Sequence, residues 1–206
     1  MLELILVRHA TTPLNEAGRY QGHSDPALSD RGRMEARRLG DQLAGRKFDL
    51  FVASDLRRCV ETLSIAFPNA TPRLDPRLRE LDFGDWDGCS WEECLATHPE
   101  LMAAWTANPV ETTPPGGEAF AHFTARIIKA LDDLPRHGSV LMVGHGGTIR
   151  WILARTLGLT WRQAASMELS ACGICRLALY DEGGRVLSWN ETEHLRPVQS
   201  PTTTGS

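Results

Sequence analysis

The chain has 206 residues, of which 42% are hydrophobic; that is enough for one good core, and one domain is the simplest reading of the length. A formal net charge of −4 and the lack of any Lys/Arg block exclude a broad basic field for a nucleic-acid backbone and a polybasic membrane anchor. No apolar run reaches the roughly 20 residues of a membrane helix, so a soluble, cytoplasmic protein acting on a small molecule is expected, without nucleic acid or membrane as partner and with a homodimer left open.

Leu2 to Val7 is a short apolar run that ends abruptly in charged and turn residues, the pattern of a buried central strand rather than a leader peptide. From Ser29, a potential N-cap, Ala36, Leu39 and Leu43 recur at helical spacing until Gly45. Phe48 to Ala53 reads as a second strand, followed by a helix capped by Ser54 or Asp55 that carries Val60, Leu63 and Phe67; a strand, helix, strand unit implies parallel pairing. Ser90 and Glu93 have capping-box spacing for a further helix, and Pro109 with Thr112 to Gly117 marks a loop, so 84–117 is expected to form a helical insertion over the sheet.

Phe120, Phe123, Ile127, Leu131 and Leu134 form a helical core stripe, read as core and nothing more. Ser139 to Val143 is the next buried strand, and a helix with Ile149, Ile152, Leu153 and Leu157 follows up to Gly158. Ile174 to Tyr180 and Arg185 to Trp189 read as an edge hairpin, and 197–206 as a disordered tail after a single domain over 1–196. The alternation favours an α/β fold, a three-layer α/β/α sandwich with a mainly parallel sheet and ligand chemistry at the carboxyl ends of its strands. Five irregularly spaced cysteines argue against a disulfide framework, and Cys172 with Cys175 is read as structural rather than as a redox or zinc pair.

Two buried strands end alike, in Val7-Arg8-His9-Ala10 and Val143-Gly144-His145-Gly146. If both are central and parallel, His9, His145 and Arg8 meet at one crevice, and Arg57 and Arg58 reach the same rim from the strand ending at Ala53. Guanidinium groups beside imidazoles make a phosphate site. A neutral histidine could attack phosphorus there if a carbonyl or carboxylate fixed its tautomer. Glu80, Asp82, Asp85 and Asp87 all qualify as the proton donor for the leaving oxygen, and the residues alone do not choose among them; a lone His9 is more often a structural residue or a metal ligand.

The stretch from Leu6 to Asn15 (LVRHATTPLN), continued by Arg19 to Asp25 and Leu28 to Gly32, resembles the opening signature of the histidine phosphatases, the phosphoglycerate mutase-like superfamily. Ser54 to Thr62, Arg79 to Gly84 and Val143 to Gly146 are similar to its later blocks, in family order over most of the chain. The resemblance implies metal-independent phosphomonoester hydrolysis without a cofactor, through a phosphohistidine at His9. Arg8, Arg58 and His145, cationic beside the bound dianion, would hold the phosphoryl oxygens, while Glu80 gives the proton. Asn15, Gln21, Gly22 and Gly146 would line the phosphate pocket, and Arg57 would be a surface charge. Ala10 and Thr11 stand where the signature has Gly and Glu, so the Ala10 N–H is expected to face the site despite its Cβ.

Between Gly84 and Gly117 there is no Lys or Arg but several acids, which is expected to disfavour a second phosphate and hence a mutase. Arg79 to Trp86 with Pro114 to Glu118 is most similar to α-ribazole phosphatases, implying α-ribazole 5′-phosphate as substrate, with broad-specificity phosphatase or phosphoglycerate mutase as alternatives. Trp86, Trp91 and Trp105 could stack its base or be core. Glu118 could reach the site or serve a helix N-terminus, His23 could approach the pocket but is expected in a solvated loop, and His98, His122, His137 and His194 on the surface. A phospholigand-binding module without turnover is the alternative from another class.

Overall fold

A computed structural model describes residues 1–196; the tail expected to be disordered, 197–206, lies outside the described residues. Six strands, β1 (Leu2–Arg8), β2 (Leu50–Ala53), β3 (Arg73–Leu74), β4 (Gly138–Gly144), β5 (Ile174–Leu179) and β6 (Gly184–Glu191), form one sheet in the order β3-β2-β4-β1-β5-β6. The first four run parallel, and β5 and β6 add an antiparallel edge.

Alternation along β1 divides the core. Leu4 and Leu6 pack with Phe123 and Ile127 of α6 (Phe120–Asp132) and with Ile149 and Ile152 of α7 (Gly146–Leu157). Ile5 and Val7 point the other way, onto Ala36 and Leu39 of α2 (Asp30–Gln42) and Cys59 and Leu63 of α3 (Arg57–Ala66). All four β1 side chains are fully buried, each contributing about 1.5–3 kcal/mol of apolar burial. Helices therefore cover both faces, the expected α/β/α sandwich. No helix of the described residues is long and apolar enough to cross a membrane.

Ser29 caps α2 through Gly32 N, and Gly158, left-handed at φ 68°, ends α7. The expected Ser54 or Asp55 cap is absent: α3 begins after Leu56 with no side-chain cap, because both polar residues have partners at the site described below. The Ser90–Glu93 capping box is present at α4 (Trp91–Thr97), but a second helix, α5 (Pro99–Ala107), follows at once. The break falls at His98 because a residue before proline is pushed out of the helical region and Pro99 has no N–H to continue the ladder. These two helices rest on a small core of Trp86, Cys94 and Met102, packed with Tyr20, Phe83 and Trp105. Two further helices, α1 (Pro13–Glu16) and α8 (Trp161–Ala165), are too short to show a period in sequence.

Candidate active site

Because β1 and β4 are adjacent and parallel, with Arg8 in register with Gly144, the chain leaves both strands at the same level. His9 N donates to Gly144 O at 2.8 Å, and the His9 and His145 rings lie 5.3 Å apart, centroid to centroid. His9 Nδ1 is 2.8 Å from the Ala10 carbonyl. A carbonyl only accepts, so Nδ1 carries the proton and Nε2 keeps its lone pair. Burial, then the charges of Arg58 and Arg8, hold His9 well below the usual histidine range. The ring is neutral, and its Nε2 lone pair is chemically able to act as a base or a nucleophile.

His145 is fully buried and also neutral: burial, then Arg58, depress it. The cationic His145 expected beside a bound dianion is a different state from this free site. Arg58 Nε donates to its Nδ1 at 3.2 Å, which leaves Nε2–H to donate to Ser54 Oγ at 2.8 Å. Arg58, itself fully buried, also donates to Gly22 O and Ser24 O, each at 2.7 Å. It therefore ties the 22–24 loop to His145. Cys59 Sγ lies 3.4 Å from His145 Nε2, and burial pushes its thiol up to about 12, so it packs uncharged.

In front of the histidines lies a cavity of about 270 Å³ walled by Arg8, His9, Asn15, Gln21, Glu80 and Gly146 among others. Arg8 Nη1 donates to Leu169 O at 2.7 Å, but its Nε is buried with no partner. Gln21 Oε1 accepts from Thr12 Oγ1 at 2.7 Å, and its Nε2 is likewise buried and unpaired. Asn15 Oδ1 accepts from Thr12 N at 3.1 Å, which turns its amide NH2 away from that turn. Gly22 sits behind this wall instead, its N–H given to Asp87 Oδ1 at 3.0 Å. A Cβ there would stand 2.5 Å from Leu81 O, so the glycine answers a close backbone approach.

Of the four candidate acids, only Glu80 faces the cavity. Its Oε2 accepts from Gly147 N at 2.8 Å, at the first turn of α7, and its Oε1 from Leu81 N at 3.0 Å. Asp82 Oδ1 caps Gly84 N, Asp87 takes Gly22 N and Ser24 N, and Asp85 packs toward Gly116. Glu93 pairs with Arg19 at 2.7 Å. No acidic side chain of the insertion lines the cavity, so the acidity of 84–117 does not set the charge a ligand meets.

The Glu80 backbone is clamped from α6. Arg126 holds Glu118 through Nε at 2.8 Å and Nη2 at 2.7 Å, and donates to Arg77 O, Arg79 O and Glu80 O at 2.7, 2.6 and 2.7 Å. Glu118 thus neither enters the site nor serves a helix end. His23 is partly exposed but not free in its loop: its Nε2 reaches Glu80 O at 3.1 Å and its Nδ1 lies 3.4 Å from Asp82. His194, half-buried, donates from Nε2 to Cys172 O at 3.1 Å rather than facing water.

The Ala10 N–H is not turned to the cavity; it donates to Thr62 Oγ1 at 3.0 Å. Thr11 is held by the buried Glu35, whose two oxygens accept from Thr11 N and Oγ1 at 2.9 and 3.0 Å. Glu35, from α2, thereby supplies a carboxylate next to the position where the signature has one. The N-terminal donor of α3, Arg57 N, goes to Asp25 Oδ1 at 2.6 Å, while the Arg57 side chain is an exposed partner of Glu61. Asp55 pairs with Arg79. Cys172 and Cys175 are free and buried on opposite faces of the sheet, which fits a structural reading.

Trp105 lines the cavity, whereas Trp86 is fully buried in the insertion core and Trp91 is exposed. Phe120 and Phe123 are core residues that also wall the cavity, so the stripe does more than pack. Tyr20, Phe83, Trp161 and Arg150 join them without having been anticipated. For Arg150 a signal existed, since it lies four residues after Gly146 on the same helix face.

The sequence profile of the histidine phosphatase superfamily (branch 1) matches residues 4–192. Phosphoserine phosphatase 1 of Hydrogenobacter thermophilus is 32% identical over 200 residues, covering 95% of each chain. The adenosylcobalamin/α-ribazole phosphatase of Escherichia coli is 30% identical over 163 residues, 77% of this chain and 80% of that one. The crystal structure of the α-ribazole phosphatase from Shigella flexneri superposes with a TM-score of 0.85 at 25% identity, over 92% of this chain and 96% of the other. The chain is a phosphatase that belongs to the histidine phosphatase superfamily.

Proposed function

We propose that the chain hydrolyses small phosphomonoesters without a metal, through a phosphohistidine formed at Nε2 of His9. The observation that carries this reading is the pair of buried, unpaired donors, Arg8 Nε and Gln21 Nε2, in the wall shared with a neutral His9. Buried donors without partners cost stability, and phosphoryl oxygens satisfy them. Nε2 attacks phosphorus as the ester P–O bond breaks, and Glu80, entering as the acid, gives its proton to the leaving oxygen. Water then attacks the phosphohistidine, passes a proton to Glu80, and the P–N bond breaks to release orthophosphate.

In this reading Arg8, Asn15 and Gln21 hold the phosphoryl oxygens from the cavity wall. Arg58 and His145, deeper, support the charge from behind and give up hydrogen bonds where they touch it directly. As a dianion arrives, its charge works against the desolvation that keeps His145 neutral. The single sheet, covered by helices throughout 1–196, supports taking those residues as one domain.

For the substrate, the aromatic walls from Tyr20, Phe83, Trp105 and Trp161 support an aromatic leaving group such as that of α-ribazole 5′-phosphate. A second reading, a phosphomonoester with a charged leaving group such as phosphoserine, is favoured by Arg150 in the same cavity. The test is orthophosphate release in excess EDTA from α-ribazole 5′-phosphate, phosphoserine, 3-phosphoglycerate and an aryl phosphate, with His9→Ala as control. Release that needs His9 supports the hydrolase. Binding of these esters with no release from any would instead favour a phospholigand-binding module.

A further inference from the structure

Arg150 lies one turn into α7, and its side chain runs back toward the helix N-terminus, as helical side chains do. Its Nε donates to Met167 O at 3.0 Å, which fixes the stem. Nη1 stands 3.1 Å from the point a Cβ on Gly146 would occupy; Arg8 Nε is 3.6 Å and Glu80 Oε2 3.8 Å from the same point. Position 146 is a glycine with two guanidiniums and the acid crowded round it. Among the described residues, no hydrogen bond or ion pair engages the terminal nitrogens of Arg150, although the residue lines the cavity.

The charges around Arg150 change during the proposed reaction, on which this inference rests. Arg8 and Arg58 belong to the phosphoryl group, and Arg19 is held by Glu93. Glu80 stands beside Arg150, but its two oxygens accept from Gly147 N and Leu81 N and it is the proposed proton donor, so it makes no ion pair with Arg150. Arg150 is half-buried, and its terminal nitrogens have no anionic partner among the described residues. Since Glu80 must touch the leaving oxygen, Arg150 beside it is within reach of the leaving group.

We infer that Arg150 forms a subsite for a second anionic group on the leaving side of the phosphomonoester, a carboxylate or a second phosphate within a few bonds of the ester oxygen. A guanidinium fork suits either anion. The acidic insertion does not oppose it, because its carboxylates face elsewhere.

Matched esters test the subsite. 3-Phosphoglycerate against glycerol 3-phosphate, and phosphoserine against phosphoethanolamine, differ by the carboxylate; propane-1,3-diol bisphosphate against propyl phosphate differs by the second phosphate. The wild type is expected to favour the anionic member about tenfold or more in kcat/KM, chiefly through KM, and whichever pair shows this identifies the anion. Arg150→Gln, checked for folding by its melt, should bring that ratio to within about twofold of unity, and Arg150→Lys should restore part of it. A ratio near unity in the wild type for every pair, or one unchanged in Arg150→Gln, overturns the inference. The same ratios measured as Kd on His9→Ala by calorimetry do not need turnover. Absent release with the binding preference intact would remove the hydrolase reading and keep the subsite, whereas His9-dependent release without preference would do the reverse.

Discussion

Gly147→Ala separates the chemistry of Glu80 from the stability of the fold. A Cβ on Gly147 would land on Glu80 Oε1, closer than real Cβ contacts come, with Cδ at 3.1 Å and Oε2 at 3.4 Å. The obstructing atoms are the far end of a flexible side chain, so the carboxyl moves and the backbone stays. The displacement is on the order of 1 Å, and a misplacement of that size can cost about a hundredfold in rate, within the roughly 10²–10⁴ that a general acid contributes. The 2.8 Å hydrogen bond from Gly147 N is strained as well. Alanine in a helix is favoured over glycine by up to about 1 kcal/mol, so the urea midpoint should hold or rise. kcat should fall about a hundredfold for an alkyl phosphate and less for p-nitrophenyl phosphate, whose leaving group needs little protonation. Full activity in the folded variant, or an equal loss on both esters, would refute Glu80 as the acid placed by this helix turn.

Three other outcomes are expected. Arg126→Met leaves Glu118 unpaired and removes the guanidinium donors from the carbonyls of Arg77, Arg79 and Glu80, of which Glu80 keeps His23 and Arg79 keeps Thr148; at about 1.5–3 kcal/mol for a bond to a charged group and with both partners mostly buried, a loss of about 3 kcal/mol is expected in urea titration, with kcat falling more than KM rises. Unchanged kcat would show that the clamp holds only the fold. Stability should fall as pH drops below about 6.5, because the unfolded chain takes up protons on His9 and His145 that the folded state, with both depressed, refuses; the slope is up to about 1.4 kcal/mol per pH unit for each histidine, and His145→Asn should reduce it. A flat profile between pH 7.5 and 5.5 would contradict the neutral, buried rings. Ser54→Ala removes the acceptor of His145 Nε2–H, which orients the ring, and should lower kcat about tenfold with less than about 1.5 kcal/mol of stability lost, read by parallel kinetics and melts.

The sheet and the two histidines were legible because a buried parallel strand is a contiguous apolar run, and the residue after it must stand at the carboxyl edge. Choosing Glu80 from four carboxylates was not possible from spacing, since the choice is made by which turn the 80–87 segment presents to α7, a tertiary fact. Phe120 and Phe123 show the limit of periodicity: it reports the buried face of a helix, not whether part of that face borders a cavity. Ala10 shows another limit. Its N–H is claimed by Thr62, 52 residues away in sequence, and no local rule reveals such a pairing. Glu35 answering Thr11 is the same kind of event, a carboxylate displaced from the loop to a neighbouring helix.

The site is built at the expense of the free protein. Arg8 Nε and Gln21 Nε2 are buried without partners, which costs about 1–3 kcal/mol each, and Arg8, Arg58 and Arg150 are all weakened as cations first by burial. Nothing in the β1–β4 core requires this arrangement, because the apolar contacts of Leu4, Leu6, Ile5 and Val7 are complete without it. The strand ends therefore carry an unbalanced cluster of donors on a frame stable enough to bear it. A bound oxyanion relieves the same groups, so its binding energy is drawn from the stability the empty site forgoes. That coupling explains why His9 can stay neutral among three guanidiniums: desolvation and the neighbouring cations keep the proton off its ring, and the same cations leave the cavity receptive to an anion.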